Sequence, residues 1–270
     1  MSWGVDFADA PGNPPYDEVL AGIADAGLRW MELGPVGYVP PAAQAAHGLQ
    51  AVGTFVFDAF HAASREGARV LAEVDAALDA IAEAGGSLLV LIDRPSPTRA
   101  ATAGDSGAAP RLHDASAMIA LLQEACDRAA VRGVRGVVHP HAGGYIEFED
   151  ELERVLDETD LGVCLDTGHA LYAGSDPAAL IRRHRSRLEH VHLKDLSPGP
   201  RPDNFWDAVE AGAFCPIGEG LLDLNALTRA LTGYNGFATI EQDRRAGSPG
   251  SPAEDLRRSV ERATAAGLAL

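Results

Sequence analysis

Short apolar runs alternate with longer amphipathic segments along the chain. The runs are rich in Val, Leu, Ile and aromatic residues, a composition typical of strands buried in a parallel sheet. In the longer segments apolar residues recur at steps of three and four, which is the period of a helix with one buried face. The runs predict strands at residues 3–7, 30–33, 50–57, 88–92, 136–141, 162–166, 188–193 and 238–242.

The helical segments lie between these runs. Eight strand-then-helix units in one domain favour a closed, parallel (β/α)8 TIM barrel of the α/β class over an open sheet. A doubly wound sheet would carry a Gly-rich phosphate turn after its first strand, whereas residues 8–15 form only a Pro-rich loop. We therefore expect a single barrel domain over residues 1–270. The predicted helices are residues 65–84, 114–132, 148–158, 177–184, 223–231 and 252–266.

Two long loops follow predicted strands, on the side of a barrel where active sites lie. Residues 94–110 are rich in Pro, Thr, Ser, Ala and Gly. Residues 197–220 carry Phe205, Trp206 and Phe214. We expect this second loop to form an aromatic wall or lid, with Trp206 in contact with the substrate.

Polar residues collect at the ends of four successive predicted strands. Burying them there costs free energy unless a partner or ligand compensates, and the ends of barrel strands converge on one funnel. Carboxylates and imidazoles from different strands make an oxygen and nitrogen site for a divalent ion. The residues concerned are His139, His141, Asp166, His169, His190, His192, Lys194 and Glu241.

The expected metal ligands are Asp166, His192 and Glu241, with Glu147 as the fourth and His139 as its competitor. Mn²⁺, Mg²⁺, Co²⁺, Fe²⁺ and Zn²⁺ all suit such donors. Structural roles without a metal stay open for some of them. Asp166 would also cap the turn that follows it, and Glu147 would favour the N-terminus of the next helix.

The balance of charges narrows the class of partner. The chain has 39 acidic and 22 basic residues, for a formal net charge of −17. A field of this sign repels phosphate backbones and anionic membranes, so we expect neither nucleic acid nor a membrane as partner. Three cysteines form no C-x-x-C pair, and the first fifteen residues lack the basic and apolar stretches of a secretion signal. We expect a cytoplasmic protein.

Several strings of residues together resemble one family. They are similar to the sugar phosphate isomerase/epimerase family with xylose isomerase-like barrels, and more narrowly to the inosose (2-keto-myo-inositol) dehydratases. The resemblance spans nearly the whole chain. The strings are residues 32–38 (ELGPVGY), 139–147 (HPHAGGYIE), 165–169 (LDTGH), 190–195 (HVHLKD), 205–214 (FWDAVEAGAF), 217–220 (IGEG) and 240–243 (IEQD).

The resemblance implies one divalent ion, for which we expect Mn²⁺ first, that grips adjacent oxygens of a keto-sugar or keto-cyclitol. It makes Asp166, His192 and Glu241 metal ligands. His139 stands where the family has a glutamate, so the fourth position stays open between His139 and Glu147. The superfamily also contains the DNA-repair enzyme endonuclease IV, which requires further histidines after the seventh strand. No histidine follows His192, and the net charge opposes DNA.

A metal at a ketone oxygen would stabilise the enolate that forms when the neighbouring proton leaves. We expect His141, His169 and Lys194 to serve as acid/base or hydroxyl-orienting groups, and Glu241 or Glu147 is also open as the base. For Lys194 a salt bridge to Asp195 or to a nearby acid is the structural alternative. The expected substrate contacts are Glu32, His61, His139, Trp206 and Arg244.

Three functions stay open at this point. The first is dehydration of a keto-inositol or a close analogue. The second uses the same chemistry for ketose 3-epimerisation, sugar isomerisation or β-elimination from a 3-keto-glycoside. The third is a non-catalytic sugar-binding barrel that has lost its metal. In each case the expected partner is a small molecule, and association into a homo-oligomer is left open.

Overall fold

The computed structural model describes residues 2–245 and 247–268. Its centre is a parallel sheet of seven strands in the order β1-β2-β3-β4-β5-β6-β9, curved into a nearly closed barrel. A separate antiparallel pair, β7 and β8, lies in the loop after β6. The fold prediction is therefore confirmed, and so are the seven strands predicted from residue 30 onward. The strands are β1 Trp30–Glu32, β2 Gln50–Asp58, β3 Leu88–Asp93, β4 Arg135–Val138, β5 Gly162–Asp166, β6 Leu188–Leu193, β7 Asp195–Leu196, β8 Phe214–Cys215 and β9 Phe237–Ile240.

The strand predicted at residues 3–7 is wrong, because the structure has turns and bends there. Gly4 has a φ of 70°, a left-handed conformation that interrupts an extended strand. The segment packs beside the end of β9 through a side chain instead: Oγ of Ser2 accepts the N–H of Gln242 at 3.2 Å. At their first residues the edge strands β1 and β9 approach each other, and the rings of Trp30 and Phe237 lie 5.1 Å apart.

Helices cover the outside of the sheet, and all six predicted helices are confirmed to within two residues at each end. Side-chain caps start several of the helices; Asp166 caps α7 and Ser251 caps α11. None of the described helices combines the length and the apolar character that a membrane span requires. The helices are α1 Tyr16–Asp25, α2 Ala43–Ala46, a 3₁₀ turn Phe60–Ala62, α3 Ala63–Ala84, α4 Pro97–Ala100, α5 Ser116–Val131, α6 Glu149–Glu158, α7 Thr167–Tyr172, α8 Pro177–Arg183, α9 Phe205–Glu210, α10 Leu224–Ala230 and α11 Pro252–Ala265.

The main hydrophobic core fills the space between the sheet and the helices. Helix α3 buries Val70, Val74 and Leu78 against β2 and α5, with no exposed surface on any of the three. Burying side chains of this size contributes about 1.5–3 kcal/mol each. The helix layer thereby holds the strands in register, and the register fixes which strand ends meet.

Candidate metal and active site

The carboxyl ends of β4, β5, β6 and β9 meet at one end of the barrel, because neighbouring strands pair in a parallel register. Asp166, the last residue of β5, lies opposite His192 of β6. His139 and Glu241 directly follow β4 and β9, and their backbone N–H groups continue the hydrogen bonding of the sheet. Four polar side chains are thus brought to one place by strand pairing alone.

These side chains, His139, Asp166, His192 and Glu241, form what we call the four-donor group. One nitrogen or oxygen of each lies within 4.8 Å of the others. Nδ1 of His192 is 3.0 Å from Oε2 of Glu241, and Nε2 of His139 is 3.5 Å from Oδ2 of Asp166. Two imidazole nitrogens and two carboxylate oxygens are donors that several divalent ions accept.

Two of the four donor atoms are buried against charged groups. Oδ2 of Asp166 lies 3.0 Å from Nζ of Lys194, and Nδ1 of His192 lies 3.0 Å from Oε2 of Glu241, without the alignment of an ordinary hydrogen bond. Burial lowers the pKa of His139 to about 4, so its imidazole is neutral at neutral pH. Burial alone would lower the pKa of His192, but Cys164 and the carboxylates around it raise that pKa, so a metal would displace a proton there. The donor set fits a divalent ion.

Glu147, expected ahead of His139 as the fourth ligand, lies elsewhere. Its Oε1 accepts the N–H of Gly104 at 2.6 Å, and its Oε2 accepts from the N–H of Gly143 at 3.0 Å and from Nη2 of Arg99 at 3.2 Å. Both carboxylate oxygens therefore tie the loop after β3 to the loop after β4. The structure therefore places His139, and not Glu147, beside Asp166, His192 and Glu241.

Replacing Arg99 with Met should strongly destabilise the protein. The Arg99 side chain has no exposed surface and pairs with both Glu147 and Glu151, so its loss leaves buried charge uncompensated. We expect the free energy of unfolding in urea to fall by about 3–5 kcal/mol. Arg111→Met is the control, since Arg111 also pairs with Glu151 but is 36% exposed and should cost at most about 1 kcal/mol. Equal losses in both variants would show that the burial of Arg99 does not determine how much its ion pairs stabilise the protein.

Glu32 connects the two histidines of β6. Its Oε1 is 2.8 Å from Nε2 of His190 and 2.8 Å from Nε2 of His192. Because a carboxylate only accepts hydrogen bonds, His192 holds a proton on Nε2 and presents Nδ1 to the four-donor group. Glu32 is thus placed to orient His192; it also lines the cavity, so its expected contact with a substrate hydroxyl stays a prediction.

Replacing Glu32 with Gln should lower the affinity for Mn²⁺ by about 10–100-fold, because the acceptor that orients His192 becomes weaker. Isothermal titration calorimetry on the metal-stripped protein measures this. Glu189→Gln is the control, since Glu189 also lies on β6 but pairs with Arg135 and is 41% exposed. A matching loss of affinity in the control would mean that β6 had simply loosened.

Lys194 is the only lysine of the chain and is buried beside the four-donor group. Its Nζ lies 3.0 Å from Oδ2 of Asp166, 3.1 Å from Oε2 of Glu241 and 3.0 Å from Oδ1 of Asp243. Burial alone would lower the pKa of Lys194, but these three carboxylates raise it well above its usual value. The amine is therefore protonated, and it can donate a proton or a hydrogen bond but cannot act as a base.

The residues around Lys194 make room for its side chain. A Cβ on Gly168 would lie 2.6 Å from Cγ of Lys194, so the glycine of the LDTGH string allows this approach. Oγ1 of Thr167 accepts the N–H of Lys194 at 2.9 Å. Of the structural partners expected for Lys194, nearby acids are present, namely Asp166, Glu241 and Asp243. Asp195 instead accepts backbone N–H groups of the following loop, such as that of Gly218 at 2.8 Å.

His141, His169 and Asp243 form a second cluster next to Lys194. The two imidazole rings lie 4.0 Å apart, and Nε2 of His169 is 3.4 Å from Oδ2 of Asp243. Nδ1 of His141 is 2.9 Å from the carbonyl of Ala142, which places the His141 proton on Nδ1 and makes Nε2 the basic nitrogen. Burial lowers the pKa of His141 well below its usual value, so this imidazole is neutral and can accept a proton.

One cavity of about 790 Å³ joins both clusters. Trp206 and Phe57 form part of its wall, with their rings edge-on at 6.4 Å, and Arg244 also lines it. His61 is not among the described residues that line the cavity, because its Nδ1 binds Oδ1 of Asp93 at 2.8 Å. The polar residues of the two clusters that line the cavity are His139, His141, His169, His192, Lys194, Glu241 and Asp243.

A family model described as the xylose isomerase-like TIM barrel matches residues 20–265. The chain belongs to this family. An inosose dehydratase of Geobacillus kaustophilus (strain HTA426) is 29% identical over 276 residues, which cover 90% of this chain and 85% of that protein. An inosose dehydratase of Geobacillus thermodenitrificans (strain NG80-2) is 34% identical over 128 residues, and this alignment covers only 43% of either chain.

Solved structures support the same fold for this xylose isomerase-like barrel. The crystal structure of IOLI protein, determined with a bound zinc atom, superposes with a TM-score of 0.74 over 94% of both chains, at 14% sequence identity. At this level of identity the similarity concerns the fold alone. The known relatives thus place the barrel in its family.

Asp243 is a residue of this xylose isomerase-like barrel that the sequence analysis left out of the site. It lies two positions after Glu241 and contacts both Lys194 and His169. Its period-2 spacing from Glu241 was the available signal, because alternate residues of a strand share a face. Arg99 was missed for a different reason, since no local pattern distinguishes a buried arginine in a loop from an exposed one.

Proposed function

We propose that this barrel is a metal-dependent dehydratase that removes water from a polyhydroxy ketone such as a keto-cyclitol. The observation that carries the proposal is the four-donor group, three of whose members line one cavity together with a protonated lysine and a neutral histidine. Cation, proton donor and proton acceptor are the three parts that elimination next to a carbonyl needs. The inosose dehydratase names of its relatives favour the same reaction.

His139, Asp166, His192 and Glu241 would hold the ion, with Mn²⁺ as the first choice and Co²⁺, Mg²⁺, Fe²⁺ or Zn²⁺ as other suitable ions. A bound divalent ion supplies Lewis-acid stabilisation of negative charge on the carbonyl oxygen of the substrate. Glu32 keeps His192 in the orientation in which Nδ1 faces the other donors. The protein thereby fixes the place where the ketone oxygen binds.

Nε2 of His141 takes the proton from the carbon next to the carbonyl, and the electrons of that C–H bond form the enolate. Lys194, which is protonated, donates its proton to the hydroxyl on the next carbon, and His169 orients that hydroxyl from beside Asp243. The carbon–oxygen bond then breaks, water leaves and a carbon–carbon double bond remains, so that atoms and charge balance. Trp206 and its aromatic neighbours limit the access of bulk water to the enolate.

Proton exchange in D₂O, followed by NMR, tests the proposal. Protein stripped of metal and protein loaded with Mn²⁺ are each given 2-keto-myo-inositol and a panel of ketoses and 3-keto-glycosides. We expect deuterium uptake at the carbon next to the carbonyl only with metal, together with loss of a hydroxyl-bearing carbon. Exchange with inversion or carbonyl migration and no loss of water would make the barrel an epimerase or isomerase. Binding without any exchange would leave the non-catalytic barrel.

A further inference from the structure

Arg244 is a buried cation whose hydrogen-bonding capacity is largely unused. It follows Asp243 after β9 and lines the cavity, and its side chain is 7% exposed. Nη2 pairs with Asp255 of α11. Within the described residues, Nε and Nη1 are buried and have no hydrogen-bond partner. Because unsatisfied buried donors on a charged group are costly, this arrangement suits a ligand that brings acceptor oxygens.

The position of Arg244 relative to the four-donor group limits what that ligand can be. Arg244 is three residues after Glu241, so their Cα atoms are at most about 11 Å apart. Arg244 and three members of the four-donor group also line the same cavity, so one ligand bound there can contact both. The local charge, and not the field of the whole protein, must attract an anion here, because the chain carries a net charge of −17.

We propose that Arg244 binds a carboxylate on the substrate, so that the substrate is a polyhydroxy ketone that also carries an acid group. The inference rests on the proposed function and narrows its substrate class. A carboxylate fits better than a phosphate, because Asp255 and Asp243 flank Arg244 and repel a dianion more strongly than a monoanion. Arg245 does not take this role, since its side chain is 41% exposed, pairs with Asp6 and lies over the Trp206 ring.

Equilibrium binding tests the proposal without any turnover. D-glucose, D-glucuronate and D-glucose 6-phosphate differ only at carbon 6, and the fluorescence of the cavity residue Trp206 or calorimetry reports their binding to the Mn²⁺-loaded protein. We expect glucuronate to bind at least about tenfold more tightly than glucose. Arg244→Met should remove that preference and leave glucose binding unchanged. Tighter binding of the phosphate, with the same dependence on Arg244, would overturn the carboxylate assignment.

Arg258→Met is the matched control. Arg258 also pairs with Asp255 but is 49% exposed and is not among the described cavity-lining residues. It should keep the preference for glucuronate, and loss of the preference in R258M as well would overturn a direct role of Arg244. If R244M shows no cooperative melting transition, Asp255→Asn serves instead. It removes the competing carboxylate and should raise the affinity for glucuronate, whereas an unchanged or lower affinity would overturn the proposal.

The outcome is separable from that of the proposed function. If a neutral keto-cyclitol undergoes deuterium exchange but glucuronate binds no more tightly than glucose, the carboxylate site is contradicted and the dehydratase proposal stands. If glucuronate binds preferentially through Arg244 but no ketone undergoes exchange, the carboxylate site is supported and the dehydratase proposal is contradicted.

Discussion

Replacing Asp166 with Asn should abolish tight Mn²⁺ binding and, with it, the proton exchange. Asp166 supplies the buried oxygen Oδ2 to the four-donor group, and burial makes its charge hard to replace. We expect the affinity to fall by at least about 100-fold, since residues that only orient a ligand already change it by about 10–100-fold. Calorimetric titration of the metal-stripped variant measures this loss.

The Asn substitution is chosen because it separates metal binding from helix capping. Oδ1 of Asp166 accepts the N–H of His169 at 2.8 Å and caps α7, and an Asn oxygen can do the same. Asp176→Asn is the control, since Asp176 caps α8 in the same way and lies outside the four-donor group. Retention of wild-type Mn²⁺ affinity in D166N would contradict the proposed ligand set.

Replacing Lys194 with Met should destabilise the metal-free protein much more than the metal-loaded protein. The Lys194 ammonium contacts Asp166, Glu241 and Asp243, and the substitution removes the cation that these three carboxylates share. We expect the free energy of unfolding of the stripped protein to fall by about 3–5 kcal/mol. A bound divalent ion compensates part of that charge, so saturating Mn²⁺ should restore most of the loss.

Urea denaturation of K194M and wild type, each with and without Mn²⁺, measures the four stabilities. Arg128→Met is the control, since the half-exposed pair of Arg128 with Asp75 should contribute at most about 1 kcal/mol, with or without metal. An equal loss in the stripped and the loaded K194M protein would mean that Lys194 and the metal site are not electrostatically linked. Since Lys194 also donates its proton to the substrate hydroxyl in our proposal, K194M should lose the release of water even when it is folded and loaded.

The two variants test different parts of the site. D166N removes a donor and keeps the lysine, whereas K194M removes the lysine and keeps all four donors. If the four-donor group binds the metal, Mn²⁺ binding is lost in D166N and kept in K194M. A protein that stays fully active as D166N would instead rely on Lys194 as its only cation.

The sequence by itself determined most of the fold. The spacing of apolar residues predicted seven of the sheet strands and six helices, because burial of one face imposes a period of 2 on strands and 3.6 on helices. The strand at residues 3–7 was predicted on the same grounds and is wrong, since the left-handed Gly4 interrupts it. A glycine in an apolar run does not reveal from the sequence which conformation it takes.

The sequence also determined that Asp166, His192 and Glu241 meet, because residues at the ends of parallel strands must share one end of the barrel. Only the tertiary structure shows that His139, and not Glu147, lies beside these three residues, and that Glu32 contacts His192. Glu147 is held by Arg99 from the loop after β3, and Glu32 reaches His192 across the barrel, although 160 positions separate them. Contacts of this kind depend on where distant loops and strands pack, and no local periodicity encodes them.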